Sequence, residues 1–124
     1  MTKTKLVLGA VLLALPLGGA NAMDLATFLA KADALEKKGM MALFSSDYKA
    51  LKGEVQAAAG QLRNERLAAQ KAGRKAAYCP PQKGGLDSKE LLAHFRAIPA
   101  QQRPRIQVKD GLRSLLVRKY PCRG

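Results

Sequence analysis

The two cysteines are the residues of this 124-residue chain whose chemistry the sequence specifies best. Cys79 and Cys122 each lie next to a proline and one or two residues after a tyrosine, and proline marks a place where a helix ends and the chain turns. In the chain-entropy model, a disulfide between them would close a loop of roughly 44 residues and stabilise the fold by about 4 kcal/mol. Two free thiols are the alternative. We do not expect a zinc site, because two distant cysteines and one histidine do not supply four ligands at a familiar spacing.

The other side chains give little sign of catalysis. His94 is the single histidine, so any Ser-His-Asp site would depend on it, and a histidine beside an apolar stripe is more often packed or solvated than catalytic. The sequence has no phosphate-binding loop, dinucleotide fingerprint or H-E-x-x-H motif. Its nine carboxylates lie mostly at predicted helix starts or in i,i+4 charge patterns, where a structural role suffices. We therefore expect a protein that is not an enzyme and that binds no cofactor and no metal.

The first 22 residues have the pattern of a cleaved secretory signal peptide. Lys3 and Lys5 precede an apolar run over residues 6–19, and Ala-Asn-Ala at residues 20–22 suits a signal peptidase. An uncleaved membrane anchor is the alternative, but the run is shorter than the roughly 20 residues that span a bilayer. We predict a mature chain that starts at Met23, forms one domain over residues 23–124, and lies in the periplasm, where paired cysteines are oxidised.

Positive charge is concentrated in the second half of the predicted mature chain. The whole sequence has a formal net charge of +13. Residues 23–62 contain five basic and five acidic side chains, whereas residues 63–124 contain fifteen basic and four acidic ones. The second half should therefore attract anionic partners, such as an acidic protein, anionic lipid, lipopolysaccharide or the cell-wall polymer. Nucleic acid is disfavoured by export and by the lack of interleaved basic and aromatic residues.

Apolar periodicity predicts an all-α fold, a small bundle of about four helices. Helices are expected at residues 24–38, 47–77, 87–98 and 104–120, because apolar residues there recur about every 3.6 positions. The stripes expected to face the core are Leu25, Phe28, Leu29, Ala32 and Leu35; Tyr48, Leu51, Val55, Ala58 and Leu62; Leu91, Leu92, Phe95 and Ile98; and Val108, Leu112, Leu115 and Leu116. Asp87 and Glu90 have the spacing of a capping box, and Pro104 suits the first turn of the fourth helix.

Three glycines interrupt the long second helix. Gly53 and Gly60 lie near one face, and we expect another helix to approach closely there, because glycine otherwise weakens a helix interior. A weak, kinked helix is the alternative. Gly73 offers an earlier end for the same helix.

The C-terminal part of the chain resembles a known exported family. It has Tyr-Cys-Pro-Pro at residues 78–81, a loop, an amphipathic helix, Ile98-Pro99, a final helix, and Tyr-Pro-Cys at residues 120–122. This frame is similar to that of periplasmic immunity proteins, which protect bacteria against cell-wall amidase effectors delivered by type VI secretion. The resemblance covers residues 78–122, with the signal peptide and the glycine-containing helix in outline.

The resemblance implies a small helical protein, often a dimer, that binds an amidase and blocks it sterically, with Cys79 and Cys122 as the family's disulfide. Basic side chains would engage acidic groups around the partner's cleft, and Lys83, Arg103 and Arg105 are our candidates because they lie in predicted loops. One alternative is a basic envelope protein that binds anionic lipid, lipopolysaccharide or another polyanion. Another is an accessory subunit recruited through the apolar residues 40–44.

Overall fold

A computed structural model describes residues 22–123. Within this range the chain forms no β-strand and four α-helices, which are α1 (Leu25–Lys38), α2 (Ser46–Lys71), α3 (Ser88–Ala97) and α4 (Val108–Lys119). A 3₁₀ helix (Gly39–Phe44) joins α1 to α2, and a 3₁₀ turn (Arg103–Arg105) precedes α4. The predicted all-α bundle of about four helices is confirmed. Apart from Ala22, the predicted signal peptide lies outside the described residues, and none of the helices described is long and apolar enough to cross a membrane.

Side-chain caps start the helices where the sequence predicts them. The Asp24 carboxylate accepts a hydrogen bond from the Thr27 amide at 2.7 Å, and Asp87 accepts one from the Glu90 amide at 2.7 Å. A capping box would also have a hydrogen bond from the Asp87 amide to the Glu90 carboxylate, which this described helix start lacks. The Glu90 carboxylate accepts instead from Lys119 Nζ at 2.8 Å. Glu90 therefore ties α3 to the end of α4.

Two predicted helix boundaries are wrong. The second helix ends at Lys71 rather than near residue 77, and the positive φ of Gly73, 74°, turns the chain away, as the alternative reading allowed. Pro104 lies in the 3₁₀ turn, so α4 starts only at Val108. Residues 106 and 107 are extended instead of helical, because their backbone pairs with the start of the domain: the Leu25 amide donates to the Ile106 carbonyl at 2.8 Å.

The core is a single cluster to which all four helices contribute. The predicted α1 stripe is buried in full, and Phe95 of α3 lies at the centre, edge-to-face with Phe28 at 5.4 Å. In α2 the prediction fails at Tyr48, which is 36% exposed, whereas Tyr78, outside the predicted stripes, is buried.

Close helix approach occurs at a glycine that the sequence did not single out. A Cβ on Gly53 or Gly60 would meet nothing within 4 Å in the described part of the chain, so the expected close contact of α2 is wrong. A Cβ on Gly111 of α4 would lie 2.9 Å from Phe95 Cε1 and 3.1 Å from a Leu25 methyl. Gly111 therefore lets α4 pack directly against α1 and α3.

The Cys79–Cys122 disulfide is present, as predicted, with Cα atoms 4.9 Å apart across a sequence separation of 43. It joins the segment before α3 to the segment after α4. Next to it, the Cys79 amide donates to the Tyr120 carbonyl at 2.8 Å. The disulfide thus closes the α3–α4 hairpin at its open end.

Candidate partner-binding surface

The 3₁₀ helix between α1 and α2 exposes four large apolar side chains. Met40 and Phe44 are each 81% exposed, Met41 is 67% exposed and Leu43 is 53% exposed. We call these four residues the apolar patch. Apolar side chains crowded together in water are a mark of an interaction site, whereas single ones are common on any protein.

The geometry of a 3₁₀ helix explains this exposure. Residues three apart lie on the same face, so Gly39 with Ala42, Met40 with Leu43, and Met41 with Phe44 form three faces. Only the face with the two smallest residues turns inward, where Ala42 packs against the core. The other two faces, both fully apolar, remain in solvent.

An apolar groove borders the inward face of the 3₁₀ helix. It lies between α1, the 3₁₀ helix, α2 and α3, and has a cavity volume of about 610 Å³. Leu35, Tyr48 and Leu92 are among the apolar side chains that line it, and Ala42 belongs to both the groove wall and the 3₁₀ helix. The half-exposed Tyr48, which the sequence assigned to the core, is therefore part of this surface.

Four lysines flank the apolar patch along the chain. Lys37 and Lys38 immediately precede the 3₁₀ helix, and Lys49 and Lys52 lie on the first turns of α2. All four are exposed, and none belongs to an ion pair within residues 22–123. The two carboxylates of residues 36–52 are engaged elsewhere, Glu36 by Arg96 at 2.9 Å and Asp47 by Lys31 at 3.2 Å. The surface therefore has an apolar centre and a positive rim.

The three predicted contact residues do not form one surface. Arg103 donates to the Ile98 carbonyl at 2.8 Å and to the Arg96 carbonyl at 2.7 Å, so its guanidinium holds the turn after α3. Lys83 and Arg105 are exposed, but Arg105 precedes α4 and Lys83 lies in the loop held against the other end of α4. A helix of 12 residues separates these ends by roughly 18 Å.

Part of the positive charge of residues 63–123 is paired within the fold. Lys109 and Arg113 both contact Glu65, and hydrogen bonds from these two cations lower the pKa of the Glu65 carboxyl. Arg96 bridges to α1 through Asp33 at 2.8 Å. These cations fix helices to one another, which leaves a smaller set of basic side chains for a partner.

His94 lies against a serine. Its Nε2 lies 2.7 Å from Ser114 Oγ, and Ser114 Oγ is 2.8 Å from the Gly111 carbonyl. Because a carbonyl can only accept, the serine hydroxyl donates to it and the imidazole N–H donates to the serine. Activation of a serine needs the opposite proton order. Burial lowers the pKa of His94, with a smaller contribution from the charge of Arg118.

Within residues 22–123, no group of three or more histidine, cysteine, aspartate or glutamate side chains has the geometry to hold a metal ion. No family model matches the chain, and no curated protein or solved structure matches it either. Four of the seven exposed large apolar side chains of residues 22–123 belong to the apolar patch.

Proposed function

We propose that this chain is an exported, non-enzymatic protein of the amidase-immunity type, which binds a peptidoglycan amidase effector delivered by type VI secretion and blocks it sterically. The observation that carries the proposal is the apolar patch, whose four side chains are between 53% and 81% exposed. The cysteine-proline frame of residues 78–122 links this binding role to the immunity family that it resembles.

The patch suits insertion into the cleft of another protein. Fully burying one methionine or phenylalanine side chain contributes about 1.5–3 kcal/mol, so two such anchors are enough to dominate an interface. The patch is also preorganised, because Gly39 ends α1 and the Ser45 hydroxyl caps α2 by accepting a hydrogen bond from the Asp47 amide at 3.1 Å. Little backbone entropy is therefore lost on binding.

The charge around the patch favours a different protein over a second copy. In a two-fold dimer centred on the patch, the rim of Lys37, Lys38, Lys49 and Lys52 would face the same lysines of the other copy. Such like-charge contacts oppose association, whereas acidic groups around a partner's cleft would be attracted. The proposed partner thus has an apolar cleft with an acidic rim.

Two features of the described domain bear on export. A persistent disulfide between Cys79 and Cys122 needs an oxidising compartment. The Met23 nitrogen lies 3.0 Å from the Glu54 carboxylate. Cleavage before Met23 would place a charged terminal amine at this position and turn the hydrogen bond into an ion pair.

The test is protection by matched variants. The chain is co-produced in the periplasm with peptidoglycan amidase effectors of type VI secretion, beginning with any that a neighbouring gene encodes, and lysis and co-purification are measured. Phe44→Ser should abolish protection and weaken binding by at least thirtyfold, the loss expected when a hot-spot side chain is removed. Leu67→Ser removes another exposed apolar side chain, 45% exposed on the distal part of α2, and should leave both readouts unchanged.

The outcomes separate the alternatives. Absence of protection and of co-purification by the unaltered chain would remove the immunity proposal. Loss of self-association in Phe44→Ser, with no effect on an amidase, would make the patch a contact between copies. Binding to anionic vesicles that weakens steeply with added salt and is unchanged in Phe44→Ser would instead favour the envelope-binding alternative.

A further inference from the structure

A second groove adjoins the apolar groove, and Val55 and Leu86 line both. It lies between α2, α4 and the loop that follows Cys79, with a cavity volume of about 650 Å³. Two arginines of α2, Arg63 and Arg66, form one wall, and Tyr78 lies beside them. Among the described residues, no acidic side chain lines this groove. We call it the arginine groove.

Arg66 is held in an unusual position. Its guanidinium carbon lies 5.8 Å from the centre of the ring of Tyr78, and its Nε is buried with no hydrogen-bond partner within residues 22–123. Because this Nε is closed off from solvent, the two terminal nitrogens of the guanidinium are the donors that a ligand in the groove could reach. Arg63 lies one turn earlier on the same helix face.

Neither arginine is neutralised inside the fold. The ion pairs in the described part of the chain involve Lys31, Arg96, Lys109, Arg113 and Lys119, but not Arg63 or Arg66. The groove therefore presents two cations on an apolar and aromatic background, where a charge-assisted hydrogen bond is stronger than on an open surface.

Hydrogen bonds hold the facing wall in place. Tyr120 fixes it: the Gly85 amide donates to the Tyr120 hydroxyl at 3.1 Å, and the Tyr120 carbonyl accepts from Cys79 at 2.8 Å. A Cβ on Gly84 would lie 3.0 Å from the Tyr120 hydroxyl, so the loop passes directly against that ring. Lys119 Nζ adds a hydrogen bond to the Gly85 carbonyl at 2.7 Å. The groove is thus preformed rather than created by a ligand.

We propose that the arginine groove binds a carboxylate carried by an apolar peptide segment, with Arg63 and Arg66 as the cationic contacts. A carboxylate accepts two parallel N–H bonds from one guanidinium, and apolar flanking residues would extend through the shared walls at Val55 and Leu86 into the apolar groove. A flat membrane surface fits less well, because the half-buried Arg66 is recessed beside Tyr78. That the peptide belongs to a protein partner rests on the proposed function; the carboxylate site itself does not.

The experiment observes the arginines directly. The ¹⁵N-labelled protein, produced from the full chain, is titrated with acetyl-Leu-Glu-Leu-amide, and the Nε–Hε resonances of its arginines are followed by NMR. We expect saturable shifts of the Arg63 and Arg66 resonances and none of Arg113, which already binds Glu65. The neutral peptide acetyl-Leu-Gln-Leu-amide should bind at least tenfold more weakly.

Variants give the second arm of the test. Arg66→Lys keeps the charge but removes the planar guanidinium, and should weaken binding of the acidic peptide at least tenfold. Arg118→Lys makes the same change at an exposed site outside the arginine groove and should have no effect. Circular dichroism and the unfolding midpoint establish that each variant is folded.

Several results would overturn the carboxylate site. These are equal binding of the two peptides, equal shifts at Arg113, no saturable binding, or binding of phosphatidylglycerol vesicles or inorganic phosphate without binding of the acidic peptide. Failure of the proposed function looks different, because it appears as a lack of amidase binding and of any effect of Phe44→Ser, with the response of Arg66 to the peptide unchanged.

Discussion

Gly111 and Gly60 allow the packing of the helices to be tested by one substitution at two places. Gly111→Ala should destabilise the protein, because the new Cβ would lie 2.9 Å from Phe95 Cε1 and 3.1 and 3.2 Å from the two methyls of Leu25. Phe95 and Leu25 are both 0% exposed, so neither can move into solvent. Overpacking of this kind costs about 1–3 kcal/mol.

Helix propensity acts in the opposite direction at both sites. Alanine is favoured over glycine inside a helix by about 1 kcal/mol, so Gly60→Ala, with nothing within 4 Å of its Cβ in the described chain, should be stabilised by about that amount. In Gly111→Ala the same gain offsets part of the packing cost and leaves a net destabilisation of up to about 2 kcal/mol. The difference between the two variants isolates that cost, about 1–3 kcal/mol.

Urea unfolding of the two variants and the unaltered protein measures the difference. The slopes should agree, because the same surface is exposed on unfolding, and the midpoints should move in opposite directions. Thermal midpoints should separate by about 4–8 °C for each kcal/mol. Equal stabilisation by both substitutions would show that α4 does not approach α1 and α3 as closely as Gly111 indicates.

Three further predictions concern the disulfide, His94 and Glu54. Replacing Cys79 and Cys122 by serine should lower the free energy of unfolding by about 4 kcal/mol, measured in urea. Because the pKa of His94 is lowered in the fold, the unfolded state binds a proton more readily. The free energy of unfolding should therefore decrease as the pH falls from 6.5 through the lowered pKa of His94. His94→Gln should flatten this part of the pH profile. In a chain that starts at Met23, Glu54→Gln should cost up to about 1 kcal/mol, and less when residues before Met23 are retained.

Each of these has its control. The double serine variant should not respond to reductant, whereas the unaltered protein should fall to the same stability, and an unchanged midpoint would contradict the role of the disulfide. For His94, the comparison of variant and parent removes the contributions of the carboxylates. For Glu54, N-terminal sequencing of the exported protein gives the cleavage site, and an equal effect in both chains would exclude an ion pair with the terminal amine.

The sequence was sufficient where a local rule applies. The start of α1 and of α3 follows from Asp24 and Asp87, whose carboxylates cap the next turn whatever the rest of the molecule does. The period of the apolar residues gave the α1 stripe in full. The partnership of Cys79 with Cys122 needed only their number and the predicted export.

Tertiary contacts decided the rest. Nothing local distinguishes Gly60 from Gly111, because only the neighbouring helices determine which one has no room for a Cβ. Pro104 is compatible with a helix start, but residues 106 and 107 pair with the N-terminal segment and delay α4. The apolar residues 40–44 are another example. Their hydrophobicity favours burial, but the geometry of the 3₁₀ helix and its neighbours leaves Met40 and Phe44 in solvent.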